Sequence, residues 1–422
     1  MKPPFLRRLR IYRIVLQTRI RYSGTTMDIF SRLLFLIGRL LLLVDRTTAA
    51  AYILRAHRNA RTVKRQRRIE TLMKGHGLLQ PEIVGGLVPT SFRHEQFFYG
   101  RVLKVKERHE SEKGVLIVKF SETFSKLRRE FDVARILEDY YVVLEPSYSG
   151  FCDPEILYFM EYSEHPVIVQ AADQMDVDFI NRLDSNLIPI NIGSSDWTND
   201  RIFHPLGSEK IYDCIMVALW NDIKRHYLLF QAMRQMRDPD YRVCLVGGGW
   251  GRLMQDYKEM AACYGVLDQI DFYEMVPSDE VNRLLNLSRL NLLLTLKEGA
   301  NKSIFEGFFA DVPGLILSNN IGVNRNYINE HTGVIVDQHT LAEALHDLKT
   351  GPRSFSPHAW AMEHISCEAS TRKLEALLRK TAAERGVPFT GRLSVKVNPE
   401  MDYYHEDDRL SPFEYDNYRK TT

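Results

Sequence analysis

From Val115 to Val336 the chain repeats one unit: a short apolar run, a turn, then a stretch whose apolar residues recur at helical spacing. In the first half the runs are Val115 to Phe120, Tyr141 to Leu144, Ile156 to Met160, Val167 to Gln170 and Leu187 to Ile192. In the second they are Ile215 to Leu219, Arg242 to Val246, Ile270 to Tyr273, Leu290 to Leu296, Leu315 to Leu317 and Gly333 to Val336. The intervening helices are predicted over Ser125 to Glu138, Asp176 to Leu183, Tyr227 to Met236, Arg252 to Tyr264, Ser278 to Leu287 and Thr340 to Leu348. Strands joined through helices return to the same end of a sheet, so the sheet is parallel and covered on both faces. With 422 residues, 45% of them hydrophobic, the chain can bury two such cores. The expected fold class is α/β, with two Rossmann-like, doubly wound domains.

What lies outside the repeat reads as extensions. Residues 1–70 hold 17 Lys and Arg against three acidic residues, so the rest of the chain is net acidic although the total is only +2. The stretch Ile29 to Val44 is apolar but short for a span, and Arg32 and Arg39 fall on one helical face, as in a helix lying in a lipid interface. Arg55 to Arg68 is predicted as a basic helix that adds attraction to an anionic leaflet. An anionic membrane surface, rather than nucleic acid, is the expected partner, and the expected location is cytoplasmic, peripheral on the membrane's cytoplasmic face; a solvated helical hairpin packed on the protein or on a second subunit is the competing reading. Met27 offers a second possible start. The five cysteines are widely spaced with no C-x-x-C pair, as reduced thiols would be. The expected boundaries are 1–70 for the basic segment, 71–192 and 193–350 for the two domains, 351–390 for C-terminal helices including Cys367 to Arg385, and 391–422 for a tail, disordered or packed on a partner.

The most specific stretch follows the run Leu290 to Leu296. It reads Lys297-Glu298-Gly299-Ala300-Asn301-Lys302-Ser303-Ile304-Phe305-Glu306, a small-residue loop passing into an apolar helix that ends near Pro313. Helix starts present unpaired N–H groups, so the N–H groups of Asn301 to Ser303 can face a phosphate, and Lys302 can add its charge. Two carboxylates, Glu298 and Glu306, flank the loop and can accept from hydroxyls. Lys224 and Arg225 follow one other strand, and Gly247, Gly248 and Gly249 end a third. In a doubly wound sheet these strand ends are where ligands sit. Each feature has an ordinary alternative: a solvated helix start, a turn, a chance pair of acids. The two D-x-D triplets, Asp176 to Asp178 and Asp238 to Asp240, read as a helix cap and a turn.

Taken together, Glu298 and Glu306 eight residues apart, Lys224 and Arg225 upstream, Val246 to Trp250 (VGGGW) and the linker-like Ile188 to Leu206 resemble the GT-B glycosyltransferases, family 4 in particular. The resemblance covers about residues 187 to 340 and implies a hexosyltransferase acting with retention, independent of metal and of any cofactor beyond its nucleoside-diphosphate sugar donor. It implies Glu298 and Lys224 as catalytic, with Arg225, Gly248, Gly249, Gly299, Ala300, Asn301, Lys302, Ser303 and Glu306 binding the donor. The implied acceptor is a cell-surface polysaccharide, a lipopolysaccharide or a lipid-linked glycan. The family's glycine-rich acceptor loop is not visible here, and the family's arginine before the phosphate lysine aligns with Leu219. On the acceptor side the strand-end residues Lys119, Glu145 and Ser147 are the candidates. A nucleotide-sugar epimerase or phosphorylase of the same fold, and a non-catalytic scaffold, are the alternatives.

Overall fold

The structure is a computed structural model that describes residues 4–89, 101–146, 152–193, 195–249, 251–299, 301–351, 353–398 and 401–420. The chain divides into two compact units, residues 25–197 with 367–422, and residues 1–24 with 198–366.

In the first unit β1 (Val102–Lys106), β2 (Gly114–Lys119), β3 (Tyr140–Glu145), β4 (Val167–Gln170) and β5 (Leu187–Ile190) lie in sequential order in one sheet. Only β1 is antiparallel to its neighbour. Right-handed crossovers that always step the same way place their helices on one face. Leu116, Val118, Val142, Leu144, Val167 and Val169 pack there. Alternate residues point the other way: Val115, Ile117, Tyr141, Val143 and Ile168 meet Leu374 and Leu378 of the long helix Cys367–Glu384. The chain's own C-terminal part therefore covers the second face.

The second unit holds β6 (Cys214–Val217), β7 (Val243–Gly247), β8 (Ile270–Glu274), β9 (Asn291–Leu293), β10 (Gly314–Leu317) and β11 (Gly333–Val336), all parallel. Their order is β11-β10-β9-β6-β7-β8, which reverses direction between β6 and β9. The reversal switches crossovers from one face to the other. Helices Tyr227–Met236, Met254–Tyr264 and Leu341–Thr350 pack on one side, and Ser278–Asn286, Ser303–Phe309 and Pro357–His364 on the opposite one. The reversal also leaves a crevice at the carboxyl ends of β6 and β9.

In the first unit a short two-stranded ladder, β12 (Lys396–Val397) and β13 (Asp402–Tyr403), completes the strands. Several expectations are corrected. Ile156 to Met160 is not a strand: Pro154 opens a helical turn, Pro154–Leu157, that continues as a 3₁₀ turn over Tyr158–Tyr162. The helix expected over Ser125 to Glu138 is two, Ser121–Glu130 and Val133–Asp139, because Asp132 accepts from the Arg135 N–H and caps a new start. The basic helix expected over Arg55 to Arg68 is also interrupted, with Thr62 capping Val63–Gly75.

Residues 1–70 are not one appendage. Helix Phe5–Arg21 packs into the β6–β11 unit through Ile11, Ile14 and Val15, with Arg7 to Glu259 at 3.2 Å and Arg10 to Asp256 at 2.5 Å. Beyond residue 24 the segment instead supplies Leu34, Ile53, Leu54 and Ile69 to the β1–β5 core. The tail is likewise ordered into that unit. Leu393, Val397 and Met401 join one face, while Phe413 and Tyr418 join the other.

Candidate active site

Two loops leave the sheet at the reversal of strand order. The loop after β6 carries Asn221, whose side chain accepts from the Ile223 N–H and shapes a 3₁₀ turn, Asp222–Lys224. The loop after β9 is held by residue 321: Ile321 N–H donates to Leu296, and Glu298 N–H donates back to Ile321. The first loop is thereby shaped by its own side chain, and the second is tied to the segment that follows β10. The consequence is that Lys224 Nζ and Glu298 Oε1, 74 residues apart in sequence, meet at 2.6 Å with 15% and 10% of their side chains exposed.

Arg225 does not join them. Its backbone is left-handed, at φ 53°, and its side chain turns inward, 2% exposed. Its Nε donates to the Leu294 carbonyl at 2.6 Å and a terminal nitrogen to Asn319 Oδ1 at 3.4 Å. It braces the end of β9 from below, where it was expected to contact a donor. His226 beside it is buried between Trp220 and Tyr257, at ring distances of 5.5 and 4.5 Å. Burial, reinforced by Lys224, pulls its imidazole down to about 3, so the ring is neutral.

The glycine turn after β7 lies on the same rim. Gly247 sits against the Trp220 indole, where a Cβ would fall 2.5 Å from a ring carbon. Gly248 accepts from the Trp220 N–H at 3.0 Å, and around Gly249 an added Cβ meets nothing within 4 Å. Arg252 then reaches back with two bonds, 2.5 and 2.7 Å, to the Asp222 carboxylate. Asp222 and Arg252 were not anticipated; an acid two residues before Lys224 and an arginine just past the glycines were the available signal.

Helix Ser303–Phe309 follows the β9 loop. Asn301 caps it, its Oδ1 accepting from the Ile304 N–H at 2.9 Å and from Ser303 Oγ at 3.1 Å. One of the helix's initial N–H groups is thus taken by the protein itself. Glu306 lies one turn into the helix, half-buried, and burial pushes its carboxyl up to about 7 against a smaller opposing pull from Lys302. Gly307 faces Asn291 of β9, so the helix can sit close to the strand; a Cβ there would be 2.6 Å from Asn291 Nδ2. Glu298, Gly299, Lys302 and Glu306 all belong to this stretch, and Ala300 lies outside the described residues.

In the other unit, Lys119 and Glu145 end β2 and β3, and neither is open to solvent. Glu145 is fully buried, Lys396 from β12 binds it at 2.8 Å, and Lys119 stands at 3.5 Å. Asn398 accepts from both lysines, at 3.1 and 2.9 Å, and the Lys396 ammonium lies 4.4 Å over the Trp197 ring. The C-terminal strand thus seals residues that were expected to face an acceptor. Ser147 lies outside the described residues.

In a doubly wound sheet the strand-order reversal is where ligands sit, and the Lys224–Glu298 pair stands there. Residues 199–355, most of the β6–β11 unit, match the family described as glycosyl transferases group 1. No curated protein matches the chain. Among solved structures, sucrose-phosphate synthase from Thermosynechococcus elongatus is similar at 16% identity and a TM-score of 0.51, over 64% of this chain and 74% of that one. The Anabaena protein HepE, solved in complex with UDP, is similar at 12% identity and a TM-score of 0.50, over 74% of this chain and 89% of that one. At these identities the likeness concerns the fold, which is GT-B.

Proposed function

We propose that the chain moves a hexose from a nucleoside-diphosphate sugar to a cell-surface polysaccharide, a lipopolysaccharide or a lipid-linked acceptor, with retention at the anomeric carbon and without a metal ion. The observation that carries this reading is the Lys224–Glu298 pair, assembled from two loops at the sheet's reversal. A diphosphate arriving there offers Lys224 a second anionic partner. Lys224 then stabilises the charge that grows on the departing diphosphate, which supplies the role a metal ion would otherwise take. Glu298, an acceptor-only group, takes donor-sugar hydroxyls, and Glu306 the ribose hydroxyls. The N–H groups at Lys302 and Ser303 face the phosphates. The acceptor hydroxyl attacks from the leaving-group side.

The test measures nucleotide release and product formation from UDP-, GDP- and ADP-sugars in wild type, Lys224→Ala and Glu298→Gln. Both variants should lose about 100-fold or more in turnover with unchanged circular dichroism. Unchanged turnover in both, with the fold intact, overturns the placement.

We also infer that the protein rests on an anionic membrane surface. Helix Gly24–Leu41 and the turn after it expose Ile29, Phe30, Leu33, Leu36, Leu40, Leu43 and Val44, interleaved with Arg32 and Arg39. Among the described residues no helix is long and apolar enough to cross a membrane. An exposed apolar stripe with basic residues beside it suits a helix lying in the headgroup region.

A further inference from the structure

The β6–β11 sheet carries a second concavity, at its amino end. Lys210 and Asp213 precede β6, Tyr241 precedes β7, Arg289 and Leu290 precede β9, and Asp311 and Pro313 precede β10; together with the Leu341–Thr350 helix and the segment after it they line a pocket of about 220 Å³. Strands of four or five residues separate this end from the Lys224–Glu298 rim, on the order of 15 Å at about 3.3 Å per residue. The pocket is therefore distinct from the donor crevice.

Its charges are unequally satisfied. Asp213 accepts from the Arg242 N–H at 2.8 Å and stands 3.6 Å from Lys349, which is bound more closely by Asp238 at 2.8 Å. Asp311 accepts from the His358 N–H at 3.2 Å. By contrast the side chains of Lys210, Arg289 and Arg353 make no hydrogen bond or ion pair among the described residues. Lys210 is half-buried, and burial pulls its ammonium below the usual lysine range; Asp311 opposes that pull and Arg289, more weakly, adds to it. Lys210 and Arg289 line one pocket without an ion pair of their own among the described residues, so an anion placed between them can take both. Between them and the floor the walls are apolar: Leu290, Pro313, Leu345, Leu348, with the rings of Tyr241 and Phe355.

We infer that this pocket is a second ligand site, which takes a small phosphate monoester with a compact apolar or aromatic body. The phosphate dianion bridges Lys210, Arg289 and Arg353, and the body enters among Leu290, Leu345 and Phe355. Its volume is below the roughly 300 Å³ at which drug-sized pockets begin, so the ligand is of fragment size. Arg serves such a dianion through two parallel N–H bonds.

Isothermal titration of the full-length protein with phenyl phosphate tests the assignment, with inorganic phosphate and phenol as control probes and with and without saturating UDP. Phenyl phosphate should bind saturably, more tightly than either control, and with the same affinity when UDP is present. Lys210→Glu combined with Arg289→Glu should weaken it by about tenfold or more, and the single change Arg289→Ala, at an exposed position, should weaken it in the same direction without touching the fold. Absence of saturable binding, displacement by UDP, or affinity unchanged in both variants overturns the inference. Failure of the donor-site reading would leave these outcomes unaffected, because that reading is tested at the other end of the sheet.

Discussion

Glu306 gives the most quantitative test of the crevice. Burial holds its carboxyl at about 7, whereas an unfolded glutamate titrates at its ordinary value of 4.5. Between these values the folded chain keeps a proton that the unfolded chain has lost, so this group makes stability fall as pH rises through about 4.5 to 7, and the loss is complete above 7. A gap of about 2.5 units corresponds to about 3 kcal/mol, an upper bound because part of the side chain meets water. Glu306→Gln keeps the shape and removes the charge. At pH 8 the variant should therefore be the more stable by up to about 3 kcal/mol, or roughly 6 to 12 °C in melting temperature for a unit of this size. At pH 4 to 5 the two proteins should melt together. Differential scanning calorimetry at pH 4.5, 6 and 8 reads the difference, and a difference that stays constant across that range refutes the burial argument. The same proton has a consequence for binding. If the carboxylate receives the ribose hydroxyls, it must be ionised first, so wild-type affinity for UDP-glucose should rise by up to about tenfold per pH unit below 7 and level off above it. In Glu306→Gln it should be weak and flat. A pH-independent wild-type affinity refutes the ribose role.

Three further outcomes follow from named contacts. Glu145→Ala leaves Lys119 and Lys396 buried without their counter-charge, at a cost of about 3 to 5 kcal/mol, read by urea denaturation; a loss under about 1 kcal/mol would show that the network is open to water. Gly307→Ala drives a methyl toward Asn291 Nδ2, which itself donates to the Ser303 carbonyl at 2.6 Å, and should cost about 1 to 3 kcal/mol; an unchanged melting temperature would mean the helix can step away from β9. Leu36→Asp with Leu40→Asp should abolish cosedimentation with phosphatidylserine vesicles while leaving the melting temperature unchanged, since both side chains are exposed; undiminished sedimentation would remove helix Gly24–Leu41 from the membrane reading.

The half of the chain that was legible is the half whose structure is written locally. Tyr227–Met236 and Gly333–Val336 agree to the residue with the sequence reading, because one is a single amphipathic helix and the other a single short apolar run. Lys224 and Glu298 could be singled out because each follows a strand by a short loop, and strand ends of one parallel sheet converge whatever their distance in sequence. The inward turn of Arg225 could not be read, since it depends on a left-handed residue and on a carbonyl 69 positions away. Ile156 to Met160 misled for a related reason: an apolar run buried on all sides has no period, and only Pro154 marked it as helical. Residues 1–70 look alike in composition yet serve two cores, because charge count carries no information about which apolar residues face inward.

The acceptor-side residues were illegible on topological grounds. In the β6–β11 sheet the order reverses, so the chain leaves an opening at the strand ends that needs no residue to specify it. In the β1–β5 sheet the strands run in sequence, no reversal occurs among the described strands, and the second face is closed by residues from 367 onward. Lys119 and Glu145 look, from sequence, like Lys224 and Glu298: a lysine and a glutamate at the carboxyl ends of parallel strands. Their environments separate them. Lys224 and Glu298 keep 15% and 10% of their side chains in contact with solvent, so a ligand can exchange for either partner. Lys119, Glu145 and Lys396 keep 3%, 0% and 1%, and an ion pair sealed to that degree can only be broken, at the cost of a bare buried charge. The same residue types at equivalent strand ends are thus left partly open to solvent in one unit and sealed in the other, and what seals the second is the last thirty or so residues of the chain, distant in sequence from either motif.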